Sequence, residues 1–220
     1  MINVAIDGPA GAGKSTVARG AAKELGYIYV DTGALYRTVA LAATRNGVLE
    51  SAEKTEQMLK DITVDLAFDD AGAQCVYLNG EDVSSLIRTP EISMAASNVS
   101  KIPAVRAFLL GLQRDIAAKN NVIMDGRDIG THVLPNADVK VFLTADAHVR
   151  ALRRYEEFTA KGINCTLENV EREVIERDER DMNRAIAPLK QAEDAVRVDT
   201  SQMNIDEVVN CLRQLILDRI

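Results

Sequence analysis

Gly8, Gly13, Lys14 and Ser15 stand in the spacing Gly, four residues, Gly-Lys-Ser, inside the run Ile-Asp-Gly-Pro-Ala-Gly-Ala-Gly-Lys-Ser-Thr at 6–16. That spacing suits the capture of a polyphosphate. Glycines let successive backbone N–H groups point at one anion, and a helix N-terminus adds partial positive charge. Lys14 supplies a mobile full charge for the β- and γ-phosphates, and the Ser15 hydroxyl suits Mg²⁺. An apolar run, 4–6, leads into the loop and a helix-compatible stretch, 14–25, leads out. A chance Gly-rich turn would need neither flank. The chain is therefore expected to bind a nucleoside triphosphate through Gly8, Pro9, Ala10, Gly11, Ala12, Gly13, Lys14, Ser15 and Thr16.

Three further segments carry groups suited to anions. Val-Ile-Met-Asp-Gly-Arg-Asp, 122–128, reads as an apolar strand ending in Asp125, the type of carboxylate that supports Mg²⁺ beside a phosphate loop. Gly126 permits a sharp turn, after which Arg127 and Asp128 face a cleft; a simple polar strand-end turn is the other reading. In Asp-Thr-Gly-Ala-Leu-Tyr-Arg, 31–37, Thr32 can cap a helix and Arg37 lies one turn in, at the sheet edge where open α/β folds bind ligands. A capped helix with a solvated arginine fits the same residues. Arg177, Asp181 and Arg184 are spaced four and three apart, which places them on one helical face. They suit a phosphate and a sugar hydroxyl, but the charge-rich run 176–184 also suits a solvated ion-pair ladder. Arg153 and Arg154, near Gly162, share that ambiguity, and His132 and His148 have no evident partners.

Short apolar runs at 3–6, 27–30, 122–124, 139–143 and 196–198 have the character of strands buried on both faces of a parallel sheet. Helical patterns lie between them at 14–25, 33–46, 103–119, 147–161, 167–184 and 204–219. Such alternation predicts a doubly wound α/β fold. One region departs from it. Runs at 63–68 and 75–78, joined by Asp69-Asp70-Ala71-Gly72 and followed by Asn79-Gly80, predict a small antiparallel insert with a third strand near 82–83.

At 220 residues, 47% hydrophobic and 27% charged, the chain has the composition of a soluble globular domain. Its net charge of −7 argues against a nucleic-acid polymer as partner, since that would need a basic face. Trp is absent, which disfavours a single-strand stacking platform. Cys75, Cys165 and Cys211 have no metal or redox spacing and read as reduced, cytoplasmic residues. No signal peptide or membrane span is expected, and a monomer is the default.

Ile-Asp-Gly-Pro-Ala-Gly-Ala-Gly-Lys-Ser-Thr, Asp-Thr-Gly-Ala-Leu-Tyr-Arg, Asp-Gly-Arg-Asp-Ile-Gly-Thr and Glu-Arg-Asp-Glu-Arg-Asp-Met-Asn-Arg, in that order, resemble bacterial cytidylate kinase, a P-loop nucleoside monophosphate kinase. The likeness runs from Asn3 to the last helix. It implies one domain over 1–220 with a five-stranded parallel sheet, an acceptor lobe at about 32–105 holding the insert, and a short lid at about 150–166. It implies transfer of the ATP γ-phosphoryl group to CMP or dCMP, with Mg²⁺ held at Ser15 and Asp125. By the same resemblance Lys14, Arg127, Arg177 and Arg184 are catalytic. Arg37, Arg127, Arg177 and Arg184 hold the acceptor phosphate, Asp181 the ribose, and Ser97, Arg106 and Asp128 the cytosine, while Thr32 joins the acceptor-binding set. Two other readings fit the phosphate loop: a small kinase for a different acceptor, such as shikimate, or a nucleotide-dependent switch with no small acceptor.

Overall fold

The computed structural model describes residues 1–69 and 72–220; Asp70 and Ala71, inside the first predicted turn, lie outside the described residues. In chain order the elements are β1 (Asn3–Asp7), α1 (Lys14–Leu25), β2 (Ile28–Asp31), α2 (Thr32–Arg45), α3 (Ala52–Met58), β3 (Val64–Phe68), β4 (Gln74–Leu78), β5 (Glu81–Asp82), α4 (Pro90–Val99), α5 (Pro103–Lys119), β6 (Val122–Gly126), a π-helical turn (Ile129–Val133), β7 (Val139–Thr144), α6 (Ala147–Ala160), α7 (Leu167–Met182), β8 (Val196–Asp199) and α8 (Ile205–Leu217). The apolar runs form a five-stranded parallel sheet ordered β2-β6-β1-β7-β8, and the insert forms an antiparallel sheet ordered β3-β4-β5. The chain divides into two compact units, one of Ile28–Asn121 and one of Ile2–Tyr27 with Val122–Ile220.

In the second unit β1 lies between β6 and β7, and Val4, Ala5 and Ile6 are fully buried. Such two-faced burial explains why the strands read as continuous apolar runs rather than alternating ones. The parallel register sets Ile6 beside Asp125 and Asp7 beside Gly126. The carboxyl ends of β1 and β6 therefore deliver the phosphate loop and Asp125 to the same edge. Outside the sheet, α8 packs against α1 so closely that a Cβ on Gly20 would lie 2.9 Å from a Val209 methyl. Helices α6 and α7 share a small apolar cluster of Ala151, Val170 and Val174, with Tyr155 and Phe158 packed on it.

The first unit has its own core, in which Leu35 and Val39 of α2 meet Val76 and Leu78 of the insert and Leu109 of α5. Helices α3 and α4 were not expected from hydrophobic periodicity, although their caps stand in the sequence. Ser51 accepts from the Lys54 N–H, and Thr89 accepts from the Ile92 N–H with Pro90 in the first turn. Two boundaries correct the sequence reading. Asp31, not Thr32, caps α2, accepting from the Ala34 N–H, and Thr32 is the buried first residue of the helix. Helix α7 ends at Met182, so Arg184 lies beyond it. The chain turns back there, with the Leu189 N–H donating to the Asp181 carbonyl and Arg184 Nε to the Ala187 carbonyl.

Gly8 fixes how near the loop runs to the sheet. Its φ is +149°, and a Cβ at this position would lie 1.9 Å from the Leu143 carbonyl oxygen of β7. Gly13 also has positive φ, but nothing lies within 4 Å of its missing Cβ. Gly8→Ala is therefore expected to cost about 3 kcal/mol or more, because two central strands must part. Gly13→Ala should cost only the left-handed backbone penalty, about 1–2 kcal/mol. Denaturant unfolding of the two variants checks this ranking, and equal losses would refute it.

Candidate active site

The phosphate loop leaves β1 and returns at the N-terminus of α1, where the Gly13 carbonyl accepts from the N–H groups of Thr16 and Val17. Lys14 is 5% exposed and donates from Nζ to the Pro9 carbonyl at 2.7 Å. Burial pushes its ammonium down to about 7; the Arg127 and Arg177 cations act in the same direction, against the opposing carboxylates of Asp125 and Asp7. A buried, destabilised cation at the head of a Gly-rich loop is a receptor for negative charge. At the next residue, Ser15 Oγ donates to Asp125 Oδ2 at 3.0 Å. A hydroxyl and a carboxylate side by side are hard oxygen donors that fit Mg²⁺, an ion that keeps several waters and takes few protein ligands. Among the described residues no group of three or more His, Cys, Asp or Glu could hold a metal ion, so any metal here would rest on few protein oxygens.

Beyond Asp125, the turn at Gly126 presents Arg127 and Asp128. Arg127 Nε donates to Asp181 Oδ2 at 2.9 Å, and Arg184 pairs with Asp128 Oδ1 at 3.2 Å. Both acids are buried, so the face on α7 is not a solvated ladder. Asp181 pairs across to Arg127, 54 residues away, rather than along its own helix. Burial alone would raise its pKa; the Arg127 charge and hydrogen bond, with Arg177 and Arg184, outweigh burial and hold it below the usual range. Arg127, Arg177 and Arg184 thus surround Asp181 electrostatically, and the first two also depress Lys14. The Asp128 carbonyl accepts from the N–H groups of His132 and Val133, which anchors it at the head of the π-helical turn.

The first unit places Thr32, Arg37, Ser97 and Arg106. Arg37 NH2 pairs with Asp31 Oδ2 at 2.8 Å. This pair folds over Gly33, whose missing Cβ would sit 3.1 Å from both Arg37 NH1 and Asp31 Oδ1. Arg106 is 5% exposed and lies over the Tyr36 ring at 5.8 Å, which links α5 to α2. Ser97, on α4, is half-buried.

Sequence reasoning missed three residues. Asp7 accepts from the Ile129 and Gly130 N–H groups, both at 2.7 Å, and so moors the π-helical turn to the strand before the phosphate loop. Burial raises its pKa to about 6, with Asp128 adding, against the two N–H donors and Lys14. Its ionisation therefore opposes folding above about pH 6 and ceases to do so as the pH falls toward the unfolded value. Arg150 is 5% exposed and donates to the Ala145 and Ala10 carbonyls and, at 2.6 Å, to Asp178 on α7. It braces the phosphate loop against α6 and α7 together. Neither Asp7, adjacent to the motif, nor the Arg150–Asp178 pair had a spacing signal. Of the two arginines at the start of the expected lid, Arg153 donates to the Thr200 hydroxyl and carbonyl. Arg154 instead stacks over Phe158 at 4.7 Å.

Strand, glycine-rich loop, helix, buried lysine and the Ser15–Asp125 pair together define a phosphate-loop nucleotide-binding protein. Residues 4–218 match the family model for cytidylate kinase, and the chain belongs to that family. It is 51% identical over 219 residues to a cytidylate kinase of Ligilactobacillus salivarius, covering 99% of this chain and 97% of that one. It is 50% identical over 216 residues to a cytidylate kinase of Carboxydothermus hydrogenoformans, covering 98% and 97%. Among solved structures, an uncharacterized protein from Eubacterium ventriosum is similar over 100% of both chains, with TM-score 0.50 and 11% identity, a likeness of fold.

Removing the charge of Asp181 leaves Arg127, Arg177 and Arg184 without the acid they surround. Asp181→Asn is therefore expected to cost about 3 kcal/mol of stability at pH 7. A depressed carboxyl stabilises the fold above its unfolded pKa, about 3.9, and loses that contribution as pH falls through its folded value. Urea unfolding should thus show equal deficits at pH 7 and pH 5 and a smaller one at pH 3. A deficit that does not change with pH would mean that charge is not what Asp181 contributes.

Proposed function

We propose that this chain transfers the γ-phosphoryl group of ATP to CMP or dCMP, giving ADP and CDP or dCDP. The observation that carries the proposal is the concentration of Lys14, Arg127, Arg177 and Arg184 around two buried acids in one unit, beside the Ser15–Asp125 pair. A switch that binds one nucleotide needs Lys14 and a metal site. Three more cations suit a second anion brought against the first. Family membership at about half identity supports the cytosine nucleotide as that second anion. We assign the chain as one catalytic domain with an acceptor lobe at about 32–105 and a lid at about 150–166, acting as a monomer. The described helices include none long and apolar enough to cross a membrane, and three free cysteines suit a reducing cytoplasm.

The acceptor is already an oxyanion, so the reaction needs no nucleophilic side chain; positioning and charge neutralisation dominate. The backbone of Gly8–Thr16 cradles the donor phosphates, and their charge favours the ammonium form of Lys14, which burial disfavours. Ser15 and Asp125 would hold Mg²⁺, which would supply charge neutralisation for the donor phosphates. Asp181 and Asp128 hold Arg127 and Arg184 in place until the acceptor phosphate arrives, and Arg177 and Arg37 complete the neutralisation. Asp181 then takes the ribose, Thr32 lines the acceptor site, and Ser97, Arg106 and Asp128 read the base. A carboxylate at Asp128 suits the 4-amino group of cytosine and repels the 4-carbonyl of uracil.

The test is ADP release from ATP and Mg²⁺ with each common nucleoside monophosphate in turn. Turnover that depends strongly on CMP or dCMP supports the proposal, and turnover independent of acceptor supports a switch. Lys14→Ala should lower kcat at least 100-fold while the fold survives, since one charge aimed at the transition state is worth about 2.7–4 kcal/mol. Near-wild-type turnover at saturating ATP would remove Lys14 from the chemistry. Asp128→Asn should narrow the preference for CMP over UMP by 10-fold or more, at about 1.4 kcal/mol per tenfold. An unchanged ratio of kcat/KM values would leave Asp128 as the residue that positions Arg184.

A further inference from the structure

The antiparallel insert has no role in the chemistry above, yet it touches the end of β2 through one side chain. Gln74, the first residue of β4, turns its amide on the backbone of Asp31. Its Oε1 accepts from the Asp31 N–H at 2.8 Å, and its Nε2 donates to the Asp31 carbonyl at 3.3 Å. A side-chain amide here satisfies both polar groups of one backbone residue, as a neighbouring strand would. Asp31 in turn caps α2 through Oδ1 and holds Arg37 through Oδ2. Gly33 leaves the pair the room it occupies, since a Cβ there would lie 3.1 Å from both Arg37 NH1 and Asp31 Oδ1. At the other end of α2, Arg45 makes a two-pronged ion pair with Glu81 of β5, at 2.6 and 2.9 Å. The insert therefore grips α2 at both ends. The two grips differ in kind, since the Arg45–Glu81 pair is exposed, with side-chain exposures of 41% and 51%, and such pairs contribute little.

We infer that Gln74 is a positioning residue for the acceptor phosphate: through the backbone of Asp31 it fixes the Asp31–Arg37 pair, so that the insert orients Arg37. This rests on Arg37 holding the acceptor phosphate, as proposed above. It gives the insert a mechanical purpose and assigns the effect to one amide rather than to the hairpin at large. Arg37 Nε is buried without a hydrogen-bond partner among the described residues, so its guanidinium is held by Asp31 on one side only. Freed from that hold it would sample other rotamers, and each immobilised side chain costs binding free energy when it must be ordered.

The experiment compares wild type, Gln74→Ala, Glu81→Gln, Arg37→Ala and the Gln74→Ala/Arg37→Ala pair in steady-state assays with CMP and ATP varied separately. Gln74→Ala is expected to raise KM for CMP about fivefold, the worth of one neutral hydrogen bond, with KM for ATP unchanged. Glu81→Gln, which loosens the insert without touching Asp31, should leave both constants unchanged. In the Arg37→Ala background the Gln74 substitution should add nothing further, since what it positions is gone. The inference is overturned if Gln74→Ala leaves KM for CMP unchanged. It is overturned equally if both KM values rise together, if Glu81→Gln reproduces the effect, or if the two substitutions multiply independently. A wild type that does not turn over CMP overturns the proposed function and this inference with it, so the two failures are told apart by the wild-type assay alone.

Discussion

Positive charge gathered to receive phosphate must be kept from repelling itself before phosphate arrives. In the second unit Lys14 is buried with Arg127 and Arg177 acting on it, and the cost is visible in an ammonium pushed down to about 7. Like charges in a low-dielectric setting repel strongly, and pairing or loss of a proton is the ordinary relief. Burial and the neighbouring arginines hold the Lys14 ammonium below the usual lysine range, while Asp181 and Asp128 each take an arginine. In the proposed function the same acids that keep the cluster stable also take the sugar and base of the arriving nucleotide. Arrival of an anion would thus exchange one set of ion pairs for another, and the arginines need not be reorganised from solvent.

Rigidity of the loop answers the same constraint. Backbone N–H groups bind phosphate well only if they are already pointed at it. Gly8 lies against the Leu143 carbonyl with no room for a methyl group. Arg150 ties the Ala10 carbonyl to Asp178, so α7, which carries Arg177 and Asp181, is joined to the loop through one buried guanidinium. Asp7 does likewise for the turn after Asp128, with two short backbone bonds. The raised pKa of Asp7 marks what that anchor costs: a carboxylate is held at a buried position because two N–H groups require an acceptor there.

The first unit follows a parallel logic with weaker forces. Asp31 serves as helix cap and partner of Arg37 at once, which is why an acidic residue rather than a hydroxyl caps α2. A Ser or Thr at that position would satisfy the Ala34 N–H but would leave Arg37 without a counter-charge. Tyr36 and Arg106 extend the arrangement to α5 through a cation over a ring. The insert shares its Val76 and Leu78 with the same core, so it cannot be removed without opening that core.

The sequence by itself determined the α/β alternation, the phosphate loop, the strand end at Asp125 and the antiparallel insert, because each rests on local pattern: period, glycine spacing or turn chemistry. It also held the caps of α3 and α4, in Ser51 and Thr89-Pro90, though hydrophobic periodicity alone passes over such short elements. Which acid meets which arginine was not legible. Spacing within α7 suggested that Arg177, Asp181 and Arg184 face one another, yet Asp181 pairs with Arg127 and Arg184 lies past the helix end beside Asp128. Asp7, Arg150 and Gln74 were equally silent, since Ile129, Asp178, Ala10 and Asp31, which they bond, lie 28 to 140 residues away along the chain. Local sequence sets which groups are available and on which element they ride. Only the packing of those elements sets the distances, and burial then turns a nearby charge into a strong one.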